Sequence, residues 1–262
     1  MHIRKRVVEI ISTSRSDYGH ILPIAKAIQA DPDLSLRFAQ PMVGSLEEAL
    51  ARNKIALADG LQPLLRSEIA TPADFILFLG DRTDLLEEVA PLVASGIPFA
   101  HIHGGESTEG STDDRVRHAL TKLSHLHFVA HEDYSHRVRQ LGEEDWRVFV
   151  TGAPALDLIE PFQGKEEPVY IMAVFQPVTL EKKDTRAQLA SLMEALDRFD
   201  LPKVVVGPNS DPGSTEIDAA WRNWCAKTGT SYYQNIPPKQ FWAFMAQAKV
   251  LVGNSSAGMI EA

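Results

Sequence analysis

The sequence predicts an α/β protein of two Rossmann-like domains, each a parallel sheet covered by helices. Three observations predict it. Short, nearly continuous apolar runs rich in β-formers alternate with longer segments whose apolar residues recur at helical spacing. Runs of that kind read as strands buried on both faces, the setting of parallel sheets. The alternation lapses into Pro, Gly and charge between Pro161 and Pro168 and then resumes. The domains are therefore expected at 1–160 and 169–262, with 161–168 as a linker.

The first domain opens with Val-Val-Glu-Ile-Ile at 7–11, a strand interrupted by one charge. Further strands are expected at 36–38, 75–79 (Phe-Ile-Leu-Phe-Leu), 98–102, 126–130 and 148–150. Helices are expected between them at 18–30, 46–57, 85–95, 115–124 and 134–141. The fourth of these carries Val116, Leu120 and Leu123 on one face, behind an acidic start at Asp113 and Asp114. In the second domain strands are expected at 169–174, 204–206, 231–234 and 250–252, with helices at 184–199, 214–227 and 238–247. The sequence closes on a polar strand-to-helix turn and the start of a helix at Ala257, so the second domain is expected to be incomplete. Ligands of such open sheets bind beyond the carboxyl ends of the strands, which places the expected site in a central cleft.

Composition narrows the function classes. The 262 residues carry a formal charge of −9, which argues against a nucleic-acid groove. A single cysteine, Cys225, excludes an intramolecular disulfide framework and fits the cytoplasm. The basic start at 2–6 leads into a strand rather than a signal core, and no apolar stretch approaches the roughly 20 residues that span a bilayer. No membrane partner is expected. Cys225, Trp221, Trp224 and Trp242 read as packing residues.

The chemistry gathers at the ends of expected strands. Between His101 and His118 lie His103, the pair Gly104-Gly105, Glu106, Asp113, Asp114 and Arg117, an active-site composition around glycine-rich turns. Gly80-Asp81-Arg82 follows the strand at 75–79, where Asp81 either faces the cleft or pairs with its neighbour Arg82. Ser14-Arg15-Ser16-Asp17-Tyr18 follows the first strand, in the position where backbone N–H groups meet an anion, and Arg15 can grip phosphate oxygens with two donors. The dinucleotide spacing of glycines is absent. Ser255, Ser256 and Glu261 form a similar turn in the second domain, suited to diphosphate and ribose or to capping a helix. Asn209 and Asp211 line the cleft or build an Asx turn. The histidines at 101, 103 and 118 have no Cys partner and no His-Glu-x-x-His helix, so no metal is expected. No serine-hydrolase elbow is present.

Taken together, Gly80-Asp81-Arg82, the run from His101 to Glu106, Asp113-Asp114, Arg117-His118-Ala119, the run from Thr121 to His125, Gly152-Ala153-Pro154, Pro177-Val178-Thr179 and Gly253-Asn254-Ser255-Ser256 resemble the hydrolysing UDP-N-acetylglucosamine 2-epimerases. The likeness is to the bacterial branch that serves sialic-acid-type biosynthesis. It implies a GT-B-like architecture, a UDP-sugar substrate, and no nicotinamide or metal cofactor. It also implies a reaction. A base takes the C2 proton as UDP leaves C1, and water adds to the resulting glycal to release the free 2-epimeric sugar. Acid and base groups are needed at C2, and cationic or N–H donors at the departing diphosphate. On that likeness Asp81, His103, Glu106, Asp113 and Gln176, the last at the position where relatives carry histidine, are the expected catalytic residues. Arg15, Arg82, Asp114, Arg117, Asn209, Asp211, Ser255, Ser256 and Glu261 are the expected substrate-binding residues.

Two departures stand out. Relatives carry histidine before Pro177-Val178-Thr179, where this chain has Gln176, which hydrogen-bonds but does not exchange a proton near neutral pH. The region from Gln40 to Ser67 is also shorter than the family pattern. A non-catalytic UDP-sugar-binding relative and a GT-B glycosyltransferase are therefore the competing expectations. An apolar face on a first-domain helix suits a homodimer or homotetramer.

Overall fold

The computed structural model describes residues 4–13, 17–40, 63–65, 71–109, 111–158, 169–178, 184–208, 213–234, 236–255 and 258. The helix expected at 46–57 and most of the shortened region lie outside them. The chain forms two compact units, Met1–Thr108 with Asp113–Leu158, and Glu109–Thr112 with Ile159–Ala262.

The first unit contains β1 (Arg6–Ile11), α1 (Tyr18–Ala30), β2 (Leu34–Gln40), β3 (Pro63–Leu65), β4 (Phe75–Leu79), α2 (Thr83–Val89), β5 (Phe99–Ile102), α3 (Asp113–Leu123), β6 (Leu126–Val129), α4 (Glu132–Gln140) and β7 (Val148–Val150). Its seven strands pair in parallel in the order β3-β2-β1-β4-β5-β6-β7. Alternation along the strands builds both faces of the core. Val8, Ile10, Leu77, Leu79, Ala100 and Ile102 pack with Ile21, Leu22, Ala25 and Ile28 of α1. Ile11, Ile76, Phe78 and Phe99 face the other way, onto Leu85 and Val89 of α2 and Leu120 of α3.

Two elements differ from expectation. β3 offers only three residues and starts with a proline, so it has no readable period and sits at the sheet edge. The helix expected at 85–95 is α-helical only through Val89 and continues as a 3-10 turn over Ala90–Ala94. Pro91 lacks the N–H that an α-ladder needs there.

The second unit contains β8 (Tyr170–Val174), α5 (Thr185–Asp197), β9 (Lys203–Val206), α6 (Ser214–Thr228), β10 (Ser231–Tyr233), α7 (Pro238–Gln247) and β11 (Ala248–Gly253). Its four parallel strands run β10-β9-β8-β11. Ile171, Ala173 and Val205 pack with Leu189, Ile217, Trp221 and Cys225 on one face. Met172, Val174 and Val206 pack with Phe241, Phe244 and Met245 on the other. Burial pushes the Cys225 thiol up to about 11, as befits a packing residue. Among the described residues no helix is long and apolar enough to cross a membrane.

Candidate active site

In an open parallel sheet, ligands settle beyond the carboxyl ends of the strands where their order reverses. In the first unit that point lies between β1 and β4. The chain leaving β1 passes Ser12, whose hydroxyl donates to the buried Asp17 at 3.0 Å, and then enters α1, which carries His20 in its first turn. The chain leaving β4 passes Gly80, at φ +102°, to reach Asp81. The chain leaving β5 turns sharply at His103, whose φ of +64° is the one left-handed non-glycine conformation among the described residues. Such a conformation costs about 1–3 kcal/mol and persists where surrounding contacts enforce it. Here the His103 N–H donates to the Phe128 carbonyl at 3.0 Å.

Of the next two residues Gly105 admits no side chain and Gly104 leaves room for one only if its neighbours shift. A Cβ on Gly105 would lie 2.4 Å from the Tyr134 carbonyl oxygen, and one on Gly104 would lie 3.0 Å from the Thr121 hydroxyl. The loop therefore rests directly on α3 and α4, and Arg137 of α4 donates to the Gly105 carbonyl. This seats Glu106 beside His103, whose Nδ1 meets the Glu106 carboxylate at 2.5 Å.

Arg117 organises the other carboxylates. Nearly buried on α3, it donates from Nη2 to Asp81 and from Nη1 to Asp114 and to the Glu106 carbonyl, the last at 3.0 Å. Asp114 also accepts from the Ser107 hydroxyl at 2.8 Å and the Thr108 N–H at 2.9 Å. Lost hydration raises its pKa, yet the Thr108 and Ser107 hydrogen bonds and Arg117 together hold the carboxyl below the usual range. Asp81 goes the other way. Its loss of hydration, joined by repulsion from Asp113 and Glu106, outweighs Arg117 and raises it above the usual range. Asp81 thus sits near two further carboxylates, Glu106 and Asp113, and is itself pushed toward its protonated form.

Beneath the set, His101 is fully buried, with Nε2 2.7 Å from the Gly80 carbonyl and Nδ1 3.1 Å from the Thr121 hydroxyl. A carbonyl only accepts, so Nε2 carries the proton. Burial lowers His101 to about 3, leaving it a neutral strut under the turn that presents Asp81. His20 packs edge-to-face on His103 with ring centroids 5.0 Å apart, and burial, together with His103, lowers it to about 4.

In the second unit the order reverses between β8 and β11, and the two strand ends there are tied together. Asn254 accepts from the Gln176 N–H at 2.7 Å and donates to the Gln176 carbonyl at 3.0 Å. A Cβ on Gly253 would lie 1.7 Å from the Val174 carbonyl oxygen, so only glycine lets β11 come this close. The tie thus sets Gln176 beside Asn254, the residue before Ser255.

The structure brings together Asp81, His103, Glu106, Asp113, Asp114 and Arg117 in the first unit, and in the second it ties Gln176 to Asn254, the neighbour of Ser255. Arg82 does not pair with Asp81. It starts α2 and donates to Asp84 at 3.2 Å, while Asp81 takes Arg117 from 36 residues away. Arg117, expected on the substrate, has both terminal nitrogens on protein groups. Arg15, Asn209, Asp211, Ser256 and Glu261 lie outside the described residues. His20 was not anticipated, although a lone histidine in the first turn of an apolar helix, just after a polar βα turn, is a readable signal. Among the described residues no group of three or more His, Cys, Asp or Glu side chains could hold a metal ion.

Residues 27–262 match the family model described as UDP-N-acetylglucosamine 2-epimerase. The chain belongs to that family. This epimerase-family chain is 28% identical, over 98% of its length and 77% of the relative's, to the GDP/UDP-N,N'-diacetylbacillosamine 2-epimerase (hydrolyzing) of Campylobacter jejuni. It is 32% identical, over 72% of its length and 51% of the relative's, to the polysialic acid biosynthesis protein P7 of Escherichia coli. The fold is shared with the S. aureus MnaA–UDP co-structure, at a TM-score of 0.75 and 15% identity over 96% of this chain and 74% of that one. These likenesses bear out the expected fold class, a GT-B-like pair of Rossmann-like α/β units.

Proposed function

We propose that this epimerase-family chain is a hydrolysing 2-epimerase of a UDP-linked 2-acetamido sugar, mono- or diacetamido, releasing UDP and the free 2-epimer. The observation that carries the reading is the cluster of Asp81, whose carboxyl is raised, with Glu106, Asp113 and His103 beyond the carboxyl ends of the first sheet's strands. The C. jejuni relative's name, which includes the word hydrolyzing, supports the reaction type, and the polysialic acid biosynthesis relative supports a sialic-acid-type branch.

Elimination and hydration need groups that take and return protons. In the first step the C2–H bond breaks, its proton passes to a carboxylate, and the C1–O bond breaks with its electron pair on UDP. In the second, C2 takes a proton on its other face while a water oxygen bonds to C1 and yields its own proton. Asp81 and Asp113 exchange the C2 proton, and the raised Asp81 is suited to the donor role. His103, held through Nδ1 by the Glu106 carboxylate, keeps a lone pair on Nε2 for the proton from water, the logic of a carboxylate-oriented imidazole. Arg117 and Asp114 are positioning residues that set Asp81 and the Glu106 backbone. Arg15, Arg82, Asn209, Asp211, Ser255, Ser256 and Glu261 hold the nucleotide in this reading, because N–H, hydroxyl and guanidinium donors favour the charge that develops on departing diphosphate.

Asp81→Asn tests the assignment. Free sugar and UDP should both fall by about 100-fold or more, the usual size of an acid–base contribution. A variant as active as the parent would remove Asp81 from the chemistry. Gln176 favours a second reading, a binding-only relative, since an amide exchanges no proton. Turnover that appears only in Gln176→His would establish that reading, and turnover in the parent chain would dismiss it.

A further inference from the structure

The His20–His103 contact holds two buried nitrogens, Nε2 of His103, which takes the proton from water above, and Nδ1 of His20, which has no role there. His103 Nε2 and His20 Nδ1 are both shut off from solvent and neither has a hydrogen-bond partner among the described residues. Leaving a buried polar atom unpaired costs about 1–3 kcal/mol, and here two such atoms sit on adjacent rings, one of them only 7% exposed. Because Glu106 occupies Nδ1 of His103, the Nε2 of the neutral ring is an acceptor. Its partner must therefore bring an O–H or N–H. A buried site lined by unpaired polar atoms is where proteins lodge single waters, and a water's two protons and two lone pairs match either tautomer of His20.

We propose that His20 and His103 together hold one water, and that this water is the one that hydrates the glycal. The inference rests on the hydrolysing reading above. The step balances. The C1=C2 π pair takes a proton at C2 from a carboxylic acid, the water oxygen bonds to C1, and the departing water proton goes to His103 Nε2. His20 is a positioning residue in this scheme, because it touches the water and takes no proton. Its neutrality suits that task, since a cationic ring beside His103 would oppose protonation of Nε2.

The test measures products made by the full chain from UDP-N-acetylglucosamine, comparing the parent with His20→Leu and His20→Asn. Losing the water should slow hydration more than elimination. In His20→Leu the share of product released as the 2-acetamido glycal should rise at least tenfold while UDP release falls less than threefold. His20→Asn, which restores a polar atom near Nδ1, should return the product to free sugar. UDP and free sugar falling in parallel without glycal, or products unchanged in His20→Leu, would overturn the water site while leaving the hydrolysing reading intact. A folded parent that releases no UDP from either the mono- or the diacetamido sugar would overturn both.

Discussion

Arg117 binds two carboxylates and a backbone carbonyl from a nearly buried position, so its loss leaves Asp81 and Asp114 without their cation. Removing one partner of a buried ion pair typically costs about 3–5 kcal/mol, and urea unfolding of Arg117→Met should show a loss at the lower end, since both aspartates are partly exposed. A loss below about 0.5 kcal/mol, the range of ordinary surface substitutions, would mean that the guanidinium does not organise the site. His101 sets a pH dependence of known sign. Folded His101 stays neutral down to about 3, whereas the unfolded chain takes up its proton near 6.5. The stability it confers is present above 6.5 and lost as pH falls, by about 1.4 kcal/mol per unit. His101→Gln, which keeps a donor for the Gly80 carbonyl, should flatten the stability–pH slope between pH 6 and 4 by about one proton. An unchanged slope would contradict the buried neutral ring. At this scale the sequence reveals which residues gather but not their pairings. Asp81 stands next to Arg82, yet its partner comes from α3, because which cation reaches a strand end is decided by how the helix packs.

Elements were legible where a period exists. The alternation of Ile76, Leu77, Phe78 and Leu79 between the two faces of the sheet can be read directly, as can the helical spacing of Val116, Leu120 and Leu123. β3 has too few residues to show a period, and the α-to-3-10 change near Pro91 depends on one missing donor. Glycine roles were legible in kind but not in cause. Gly105 is required by the Tyr134 carbonyl of α4, and Gly253 by the Val174 carbonyl of β8. Gly253→Ala should push β11 from β8 and break the Asn254–Gln176 tie, at a cost of about 2 kcal/mol or more. Amide hydrogen exchange should then accelerate in β8 and β11 while the first unit keeps its protection. Unchanged exchange in β8 would refute the close approach.

For the whole molecule, two parallel sheets follow from the sequence because buried strands and their covering helices are patterned locally. The strand orders follow less directly, and they carry the function. Each sheet reverses order beside its first strand, and Asp81, which follows β4, and His20, at the start of α1, meet His103 and Glu106 from the loop after β5 at the carboxyl ends of the first sheet. The central claim is that these groups exchange a sugar C2 proton while expelling UDP. Proton NMR of the full chain with UDP-N-acetylglucosamine in D₂O tests it most directly. The account predicts free N-acetylmannosamine carrying deuterium at C2, formed in step with UDP. A folded protein that leaves the C2 proton in place and releases no UDP, with the diacetamido sugar as well, would contradict it.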